Sequence, residues 1–422
     1  MAAVGSLSLA GPEGAHAQIS VYTGKPSDAK PEVKTEGTPP ETNIVPSVSI
    51  QERYDSNVFF IPGSNLEDYV TTVSPQLKVF HKGRLVEGMI GGGATGEVYV
   101  KNPGLNYVAA NGMLELNLDK ALGEVAKGLG LQISDTFYFT PQPPSFATSG
   151  TSQIPEAFAR GIQAQRANAF TNGATVLGSY EVSPLLKLKS TYLDQRIRFG
   201  SATFAPSDPT TPVTPAAFID TTFQTVTSGP EIKVTPLDVV SISHQYQKGS
   251  FDLGGAKSGF STQGALVGWT RKLTPDLTAS LQGGALVFSG SGSLQYQGSA
   301  SLDWRSRDTD ASLSYTRAIS PSFFTAGVPL LSQMIAAMGT HRVTELFSLS
   351  MSANYAINES VPDSSLLKFE SYSFSPGMEY KLNRVVTANL SYTHSVFTQT
   401  FGGASFDFNR NTVLLRLVAE WK

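Results

Sequence analysis

Apolar and polar residues alternate along the chain from about residue 43 to its last residue, in about eighteen short stretches. The clearest stretch is residues 294–304, where Leu294, Tyr296 and Trp304 belong to an apolar or small set, while Gln, Ser or Asp stand between them. A period of two places these sets on opposite faces of a β-strand. One face of each predicted strand therefore requires an apolar environment, and the other requires water.

The alternation predicts eighteen strands with short breaks between them. The predicted strands are residues 43–57, 68–80, 84–100, 105–119, 124–140, 164–181, 185–200, 217–234, 238–250, 259–271, 276–288, 294–306, 310–322, 329–340, 344–357, 366–381, 384–398 and 408–421.

Composition indicates what covers the apolar faces. Only 15% of the residues are charged, against about a quarter in average soluble proteins. No window reaches the roughly 18 consecutive apolar residues of a transmembrane helix. A soluble alternative would place two or more β-sandwiches in residues 43–422 with no linker between them. We therefore predict an all-β fold, a transmembrane antiparallel up-and-down β-barrel of about 18 strands of the Gram-negative outer-membrane type.

The connections between strands alternate in length. Long links are predicted at residues 58–67, 141–163, 201–216, 251–258, 323–328, 358–365 and 399–407, and short turns, such as residues 119–121, fall between them. Outer-membrane barrels place short turns at the periplasmic rim and long loops outside. This pattern predicts an even strand number, location in the bacterial outer membrane, and periplasmic N- and C-termini.

The N-terminal region differs from the rest. Residues 1–17 hold a weakly apolar run that ends in a small-x-small pattern at Ala15 and Ala17 but lacks a basic start, which predicts a signal-peptide remnant. Residues 18–42 are rich in Pro, Lys and Glu and have no periodicity, so we expect a disordered periplasmic tail. Residues 43–422 form the predicted transmembrane β-barrel.

The last predicted strand shows the two faces. Val413, Leu415 and Leu417 share one face with Trp421. An aromatic residue this close to the C-terminus is typical of barrels that the barrel assembly machinery recognises, which makes that machinery an expected partner together with outer-membrane lipid. Proline on the predicted lipid face removes a ladder hydrogen bond, so bulges are predicted at three positions. These positions are Pro46, Pro75 and Pro376.

Residues that alternate with the lipid-facing set are predicted to face the lumen, and the charged ones among them are predicted to line a pore. The Lys187 and Lys189 pair is either a solvated rim of the lumen or an anion-attracting ring. Unchanged conductance and ion preference after Arg416→Ala would count against the assignment. The candidate pore-lining residues are Asp303, Arg305, Arg416, Glu420, Glu379, Lys187 and Lys189.

Catalytic and cofactor motifs are weak. The chain has no Cys, and its five His are scattered. Ser243 and His244 are strand neighbours and would face opposite ways. The Gly-rich residues 91–96 lack the Lys-Ser/Thr of a phosphate loop and predict a curved strand instead. We predict no enzyme activity, cofactor or metal, and the net charge of -3 argues against a nucleic-acid partner.

The first two predicted strands carry a family resemblance. Residues 45–59, with Tyr-Asp-Ser-Asn-Val at 54–58, and residues 68–77, with Thr-Val-Ser-Pro at 72–75, resemble the outer-membrane β-barrel porin family associated with exopolysaccharide gene clusters. The resemblance implies an outer-membrane barrel and a conduit for secreted polysaccharide. It supplies no functional residue to transfer.

Eighteen strands suffice for a water-filled lumen. The main hypothesis is passage or export of a hydrophilic solute such as secreted exopolysaccharide, because inward Ser, Thr, Gln and Asn suit a sugar polymer. A general small-solute diffusion porin and a structural or adhesive outer-membrane barrel remain alternatives. An exporter is expected to be gated or plugged, with residues 141–163 as one candidate plug.

Overall fold

The computed structural model is an 18-stranded barrel. It describes residues 41–58, 66–140, 165–204, 219–252, 257–289, 291–321, 328–361, 366–401 and 404–421. The strands are β1 (Glu41–Asp55), β2 (Asp68–Lys82), β3 (Glu87–Tyr99), β4 (Tyr107–Asn117), β5 (Leu129–Thr140), β6 (Gln165–Ser183), β7 (Leu186–Phe204), β8 (Asp220–Lys233), β9 (Asp238–Asp252), β10 (Lys257–Lys272), β11 (Leu277–Phe288), β12 (Leu294–Arg305), β13 (Thr309–Pro321), β14 (Pro329–Arg342), β15 (Phe347–Ser360), β16 (Leu367–Lys381), β17 (Val386–Phe401) and β18 (Ala404–Glu420).

Each strand pairs antiparallel with the next, and the last returns to the first. The closing pair of β1 and β18 runs from Ser47 opposite Glu420 to Asp55 opposite Thr412. The predicted closed antiparallel barrel is thereby confirmed, and the Gly-rich residues 91–96 lie inside β3 as predicted. Among the described residues, no helix is long and apolar enough to cross a membrane.

Several predicted boundaries need correction. β1 begins at Glu41, two residues before its predicted start, and β17 and β18 extend through most of the predicted link at 399–407. The predicted short turn at 119–121 is a longer connection that contains α1 (Asp119–Val125), so β5 begins only at Leu129. Residues 1–40 and the predicted plug at 141–163 lie outside the described residues.

The predicted proline bulges are wrong. Pro46 stands opposite Leu77, and Pro75 stands opposite Val48, within one unbroken register of β1 and β2. Beside Pro376, the pairing of β16 and β17 is interrupted, but the register is the same on both sides. A missing proline N–H therefore costs a ladder bond without inserting a residue. The register shifts of the described wall lie instead between β6 and β7, at Ala167/Ala169 and Glu181/Ser183.

Five of the short turns share the same pair of side-chain hydrogen bonds. In the turn before β9, the Thr235 hydroxyl accepts hydrogen bonds from the backbone N–H groups of Leu237 at 3.2 Å and Asp238 at 3.0 Å. The same bonds recur before β7, β11, β15 and β17. Such side-chain bonds favour Ser, Thr and Asn in tight turns. The residues that supply the acceptor oxygen are Ser183, Thr235, Thr274, Thr344 and Asn383.

The two faces of the wall differ in chemistry. The outer face carries exposed Ile, Leu, Val and Met with aromatic residues at two levels. On three strands the two aromatic levels are separated by eight residues, or about 26 Å along the strand. With strands tilted by about 40°, the apolar band is about 20 Å tall, which fits the outer-membrane type. The aromatic pairs are Tyr296 and Trp304 on β12, Phe347 and Tyr355 on β15, and Tyr372 and Tyr380 on β16.

A buried ion pair joins the first and last strands on the inner face. Arg410 of β18 donates through Nε to Asp55 of β1 at 2.8 Å, and its NH2 group donates to the other carboxylate oxygen. Both side chains are at most 3% exposed. A bidentate pair is geometrically demanding, so it fixes the register at which the barrel closes.

We predict that Asp55→Asn lowers the free energy of unfolding by about 3–5 kcal/mol, because it breaks a buried ion pair by removing the charge of one partner. Urea unfolding of the barrel in detergent measures this change. The matched control is Asp310→Asn, which removes the exposed pair of Arg305 and Asp310 and should cost less than about 1 kcal/mol. Equal effects of the two substitutions would contradict the role of the closing pair.

Candidate functional site

The lumen is the candidate functional site, and all seven predicted pore residues lie on its inner face. Arg416 stands opposite Gln51, and Glu420 stands opposite Ser47, whose inward side chains are buried. Because each strand is paired with the next around the barrel, the same alternation places the remaining five candidate residues on the inner face. These five are Asp303 and Arg305 on β12, Glu379 on β16, and Lys187 and Lys189 on β7.

Most of these charges sit near the barrel end that carries the short turns, which we call the short-turn end. Lys189 contacts Glu231 there, Lys187 lies 3.9 Å from Glu181, and Arg305 Nε lies 3.3 Å from Asp310. Charges paired in this way do not form a ring of one sign. The pore-lining role of these residues stays a prediction, and the anion-attracting ring gains no geometric support.

Arg416 differs from the other candidates because its side chain is buried, with 7% exposure. It lies four residues farther from the short-turn end than Glu420 and faces Asn389 as well as Gln51. A buried guanidinium does not contact bulk solvent in the lumen. Sequence parity placed Arg416 on the correct face but could not show that this part of the face is covered.

The inner faces of β1 to β4 hold polar side chains that bond to each other. The Ser74 and Thr95 hydroxyls lie 2.9 Å apart, and Gln76 Nε2 donates to Asn111 Oδ1 at 3.0 Å. All four side chains are buried. Cross-strand pairing therefore satisfies these four side chains without any solute.

Toward the opposite end, which we call the long-link end, the inner face becomes aromatic. The Phe260 ring of β10 lies 6.2 Å from Phe223, 6.0 Å from Phe251 and 5.9 Å from Phe288, measured between ring centroids. These four residues share the inner faces of β8 to β11. Their contacts make an apolar collar on one side of the lumen.

A second apolar group crosses the lumen. Ile197, Leu330, Leu367 and Phe369 form one buried cluster, with Phe199 packed against it. They come from β7, β14 and β16, and β7 and β16 stand opposite one another, nine strands apart in the 18-strand barrel. Side chains from opposite sides of the wall therefore meet in one cluster at this end.

The arrangement of β13 and β14 explains how side chains from opposite sides of the lumen come into contact. β12 and β13 are paired only as far as Gly298 and Arg317, whereas β13 continues to Pro321. Above that point the outer-face residues Ile319 and Leu331 join Leu286 and Phe288, from the inner face of β11, in one buried cluster. The ends of β13 and β14 at Ile319, Leu330 and Leu331 therefore lean into the lumen, with both of their faces covered.

The apolar residues at the long-link end cross the lumen, and they form a feature that the sequence interpretation missed. We call the two clusters at the ends of β13 and β14 the apolar mouth; it comprises Ile197, Leu286, Phe288, Ile319, Leu330, Leu331, Val361, Leu367 and Phe369. A sequence signal existed, because Leu330 and Leu331 are adjacent apolar residues that break the period of two. The break does not by itself show which strand covers the second face.

Two links at the same end are tied together outside the mouth. The Asp68 carboxylate accepts hydrogen bonds from the backbone N–H groups of Lys101 at 2.8 Å and Asn102 at 2.9 Å. Lys101 also bonds to Glu67, and this hydrogen bond lowers the pKa of the Glu67 carboxyl and raises the pKa of Lys101. The Tyr54 hydroxyl donates to the Glu67 carboxylate at 2.7 Å. These bonds join the chain after β3 to the start of β2.

Comparison with known proteins supports the general class. A model of the family described as "Putative beta-barrel porin 2" matches residues 295–420, which extend from β12 to the end of β18. No curated protein is similar enough to count as a match. The chain is a closed antiparallel β-barrel whose seven C-terminal strands are similar to this porin family.

Solved structures with similar architecture include three outer-membrane proteins. The outer membrane protein opdK from Pseudomonas aeruginosa is 9% identical, with a TM-score of 0.44 over 90% of this chain and 99% of that chain. The siderophore receptor PirA from Acinetobacter baumannii is 7% identical, with a TM-score of 0.43 over 89% and 80%. OccK11 (OpdR) from Pseudomonas aeruginosa is 12% identical, with a TM-score of 0.41 over 90% and 96%. Similarities of this size support no inference about function.

We predict that Leu330→Ala combined with Leu367→Ala opens the apolar mouth, because both substitutions remove side chains from the cluster that crosses the lumen. Single-channel recording in a planar bilayer should show a larger and more persistent current than the unsubstituted chain. Each substitution should also cost about 2–5 kcal/mol of stability, so the urea midpoint of the same preparation must be recorded.

The control is Leu349→Ala combined with Leu281→Ala, which shortens two exposed leucines of the outer face. This variant should leave the current at the unsubstituted level. An unchanged current in the folded Leu330→Ala and Leu367→Ala variant would show that the mouth does not limit conduction.

Proposed function

We propose that the chain is a gated channel of the bacterial outer membrane that passes a hydrophilic solute, with secreted exopolysaccharide as the solute class. One observation carries the proposal. A barrel with an apolar outer band encloses a polar wall that is obstructed at one end by apolar side chains. The polar wall accommodates a solute, and the obstruction supplies a gate.

The orientation follows from the connections. Outer-membrane barrels keep short turns in the periplasm and longer loops outside, so the short-turn end is periplasmic and the apolar mouth is extracellular. Glu41 and Glu420, the first residue of β1 and the last of β18, then lie at the periplasmic end. The N- and C-termini belong to that side in this proposal.

The inner wall favours a neutral, hydroxyl-rich solute. Ser, Thr, Asn and Gln fill most inward positions of β15 to β17, and many charges near the periplasmic end are paired. A permanently open diffusion porin fits the obstruction poorly, because a general porin needs free passage. Gated export of a sugar polymer uses both the polar wall and the closed mouth.

The barrel offers no catalytic set among its described residues. Ser243 shares the inner face with Leu266, whereas His244 stands opposite Ala265 on the outer face. Adjacent strand residues cannot act together on one solute. Transport without catalysis is therefore the proposed activity. The proposed partners of the barrel are lipid, which contacts its outer face, and the barrel assembly machinery, which recognises its C-terminal strand.

The absence of cysteine from the chain allows a clean test of location and orientation. We predict that Ser291→Cys, in an exposed link at the mouth end, reacts with a membrane-impermeant maleimide on intact cells. Thr344→Cys, in an exposed turn at the other end, should react only after the outer membrane is permeabilised. Labelling of Thr344→Cys alone on intact cells would reverse the proposed orientation.

A second prediction concerns the solute. The refolded full chain in a planar bilayer should carry a small current that neutral oligosaccharides reduce, because a hydroxyl-rich solute occupies the polar wall. Anionic oligosaccharides of equal length serve as the comparison. A large, sugar-insensitive current would favour a general diffusion porin, and the absence of current in both the unsubstituted chain and the mouth variant would favour a structural barrel.

A further inference from the structure

Three polar side chains on neighbouring strands lie in one row of the inner wall. Asn354 of β15 stands opposite Ser373 of β16, which stands opposite Ser395 of β17. Their exposed fractions are 5%, 3% and 1%. In the part of the chain that the structure describes, neither the Asn354 amide nor either serine hydroxyl has a hydrogen-bond partner. Leaving such groups buried and unpaired is unfavourable.

Among the described residues, this row is where unpartnered side chains of adjacent strands stand directly opposite one another. One row nearer the periplasm, Ser375 bonds to the Thr393 hydroxyl. On β2 and β3, farther around the wall, the buried hydroxyls of Ser74 and Thr95 satisfy each other. Other described inner-wall hydroxyls without partners lie on separate strands and form no row. These are Thr72, Thr171 and Thr225.

The surroundings of the row define the ligand that would satisfy it. Toward the mouth, Phe397 follows Ser395 on the same face and stacks on Phe408 with centroids 5.0 Å apart. Beside Ser395 in the row, Arg410 is already engaged by Asp55. The row therefore offers neutral donors and acceptors next to aromatic surface, and no charge directed at a ligand.

We propose that Asn354, Ser373 and Ser395 form a binding subsite for a neutral sugar unit. Adjacent strands lie about 4.8 Å apart, so the row spans about 10 Å. A sugar presents several hydroxyls over this distance to the amide and the two serines. This inference rests on the proposed function because it requires that sugar enters the lumen.

The test is isothermal titration of the refolded full chain in detergent with three neutral probes, maltohexaose, cellohexaose and chitohexaose. We expect at least one probe to bind. Affinity should fall at least tenfold in the variant Asn354→Ala, Ser373→Ala and Ser395→Ala, whose thermal midpoint should stay the same or rise because unpaired polar groups are removed. The matched control is Ser74→Ala with Thr95→Ala, which removes a satisfied inner-wall pair and should leave the affinity unchanged.

Other results overturn the subsite. If no neutral probe binds, or if the triple variant binds as well as the unsubstituted chain, water rather than sugar satisfies the row. Tighter binding of hexagalacturonate than of every neutral probe would exclude a neutral ligand. Current through the Leu330→Ala and Leu367→Ala variant tests the channel separately from the subsite. If this variant conducts but no sugar binds, the channel is supported and the subsite is excluded. If sugar binds but the variant does not conduct, the subsite is supported and the channel is excluded.

Discussion

Every backbone N–H and C=O group that lies in hydrocarbon must find a partner within the protein, and this constraint determines the rest of the structure. Eighteen antiparallel strands meet it only when the last strand pairs with the first. The Asp55 and Arg410 pair and the bond from the Trp421 N–H to the Pro46 carbonyl lie at the two ends of that closing pair. Closure removes the free edges that β1 and β18 would otherwise present to lipid.

Closure also means that the choice of inward-facing residues on one strand determines that choice on every other strand. Because Ser47 stands opposite Glu420, the inward set of β1 determines the inward set of β18 and of every strand between them. For this reason alternation in the sequence was enough to predict the barrel, the strand number and the inner-face position of Asp303, Glu379 and Arg416. The same alternation explains why one strand carries both exposed leucines, on its outer face, and buried serines, on its inner face.

What alternation could not predict depends on contacts between distant strands. The meeting of Ile197 with Leu367 joins residues that stand on opposite sides of the wall, and no local pattern encodes that distance. The helix at Asp119–Val125 replaces a predicted tight turn for a different, local reason, since it contacts β5, the strand that follows it. Proline failed as a bulge marker because the strand at Pro75 loses a bond but keeps its register.

The apolar chemistry of the mouth has an energetic consequence for gating. Exposing a large buried apolar side chain to water costs about 1.5–3 kcal/mol, so fully exposing the four residues of the cluster that crosses the lumen costs on the order of 6–12 kcal/mol. A free-energy difference of about 5.5 kcal/mol already corresponds to an equilibrium ratio of about 10⁴:1. Thermal motion alone therefore opens the mouth only rarely and briefly, which limits the current of the unsubstituted chain. Lasting opening requires a solute or partner that covers the separated apolar surfaces. The C–H faces of a sugar chain offer such cover while its hydroxyls face the polar wall below, and the chain then occupies the lumen in place of ions.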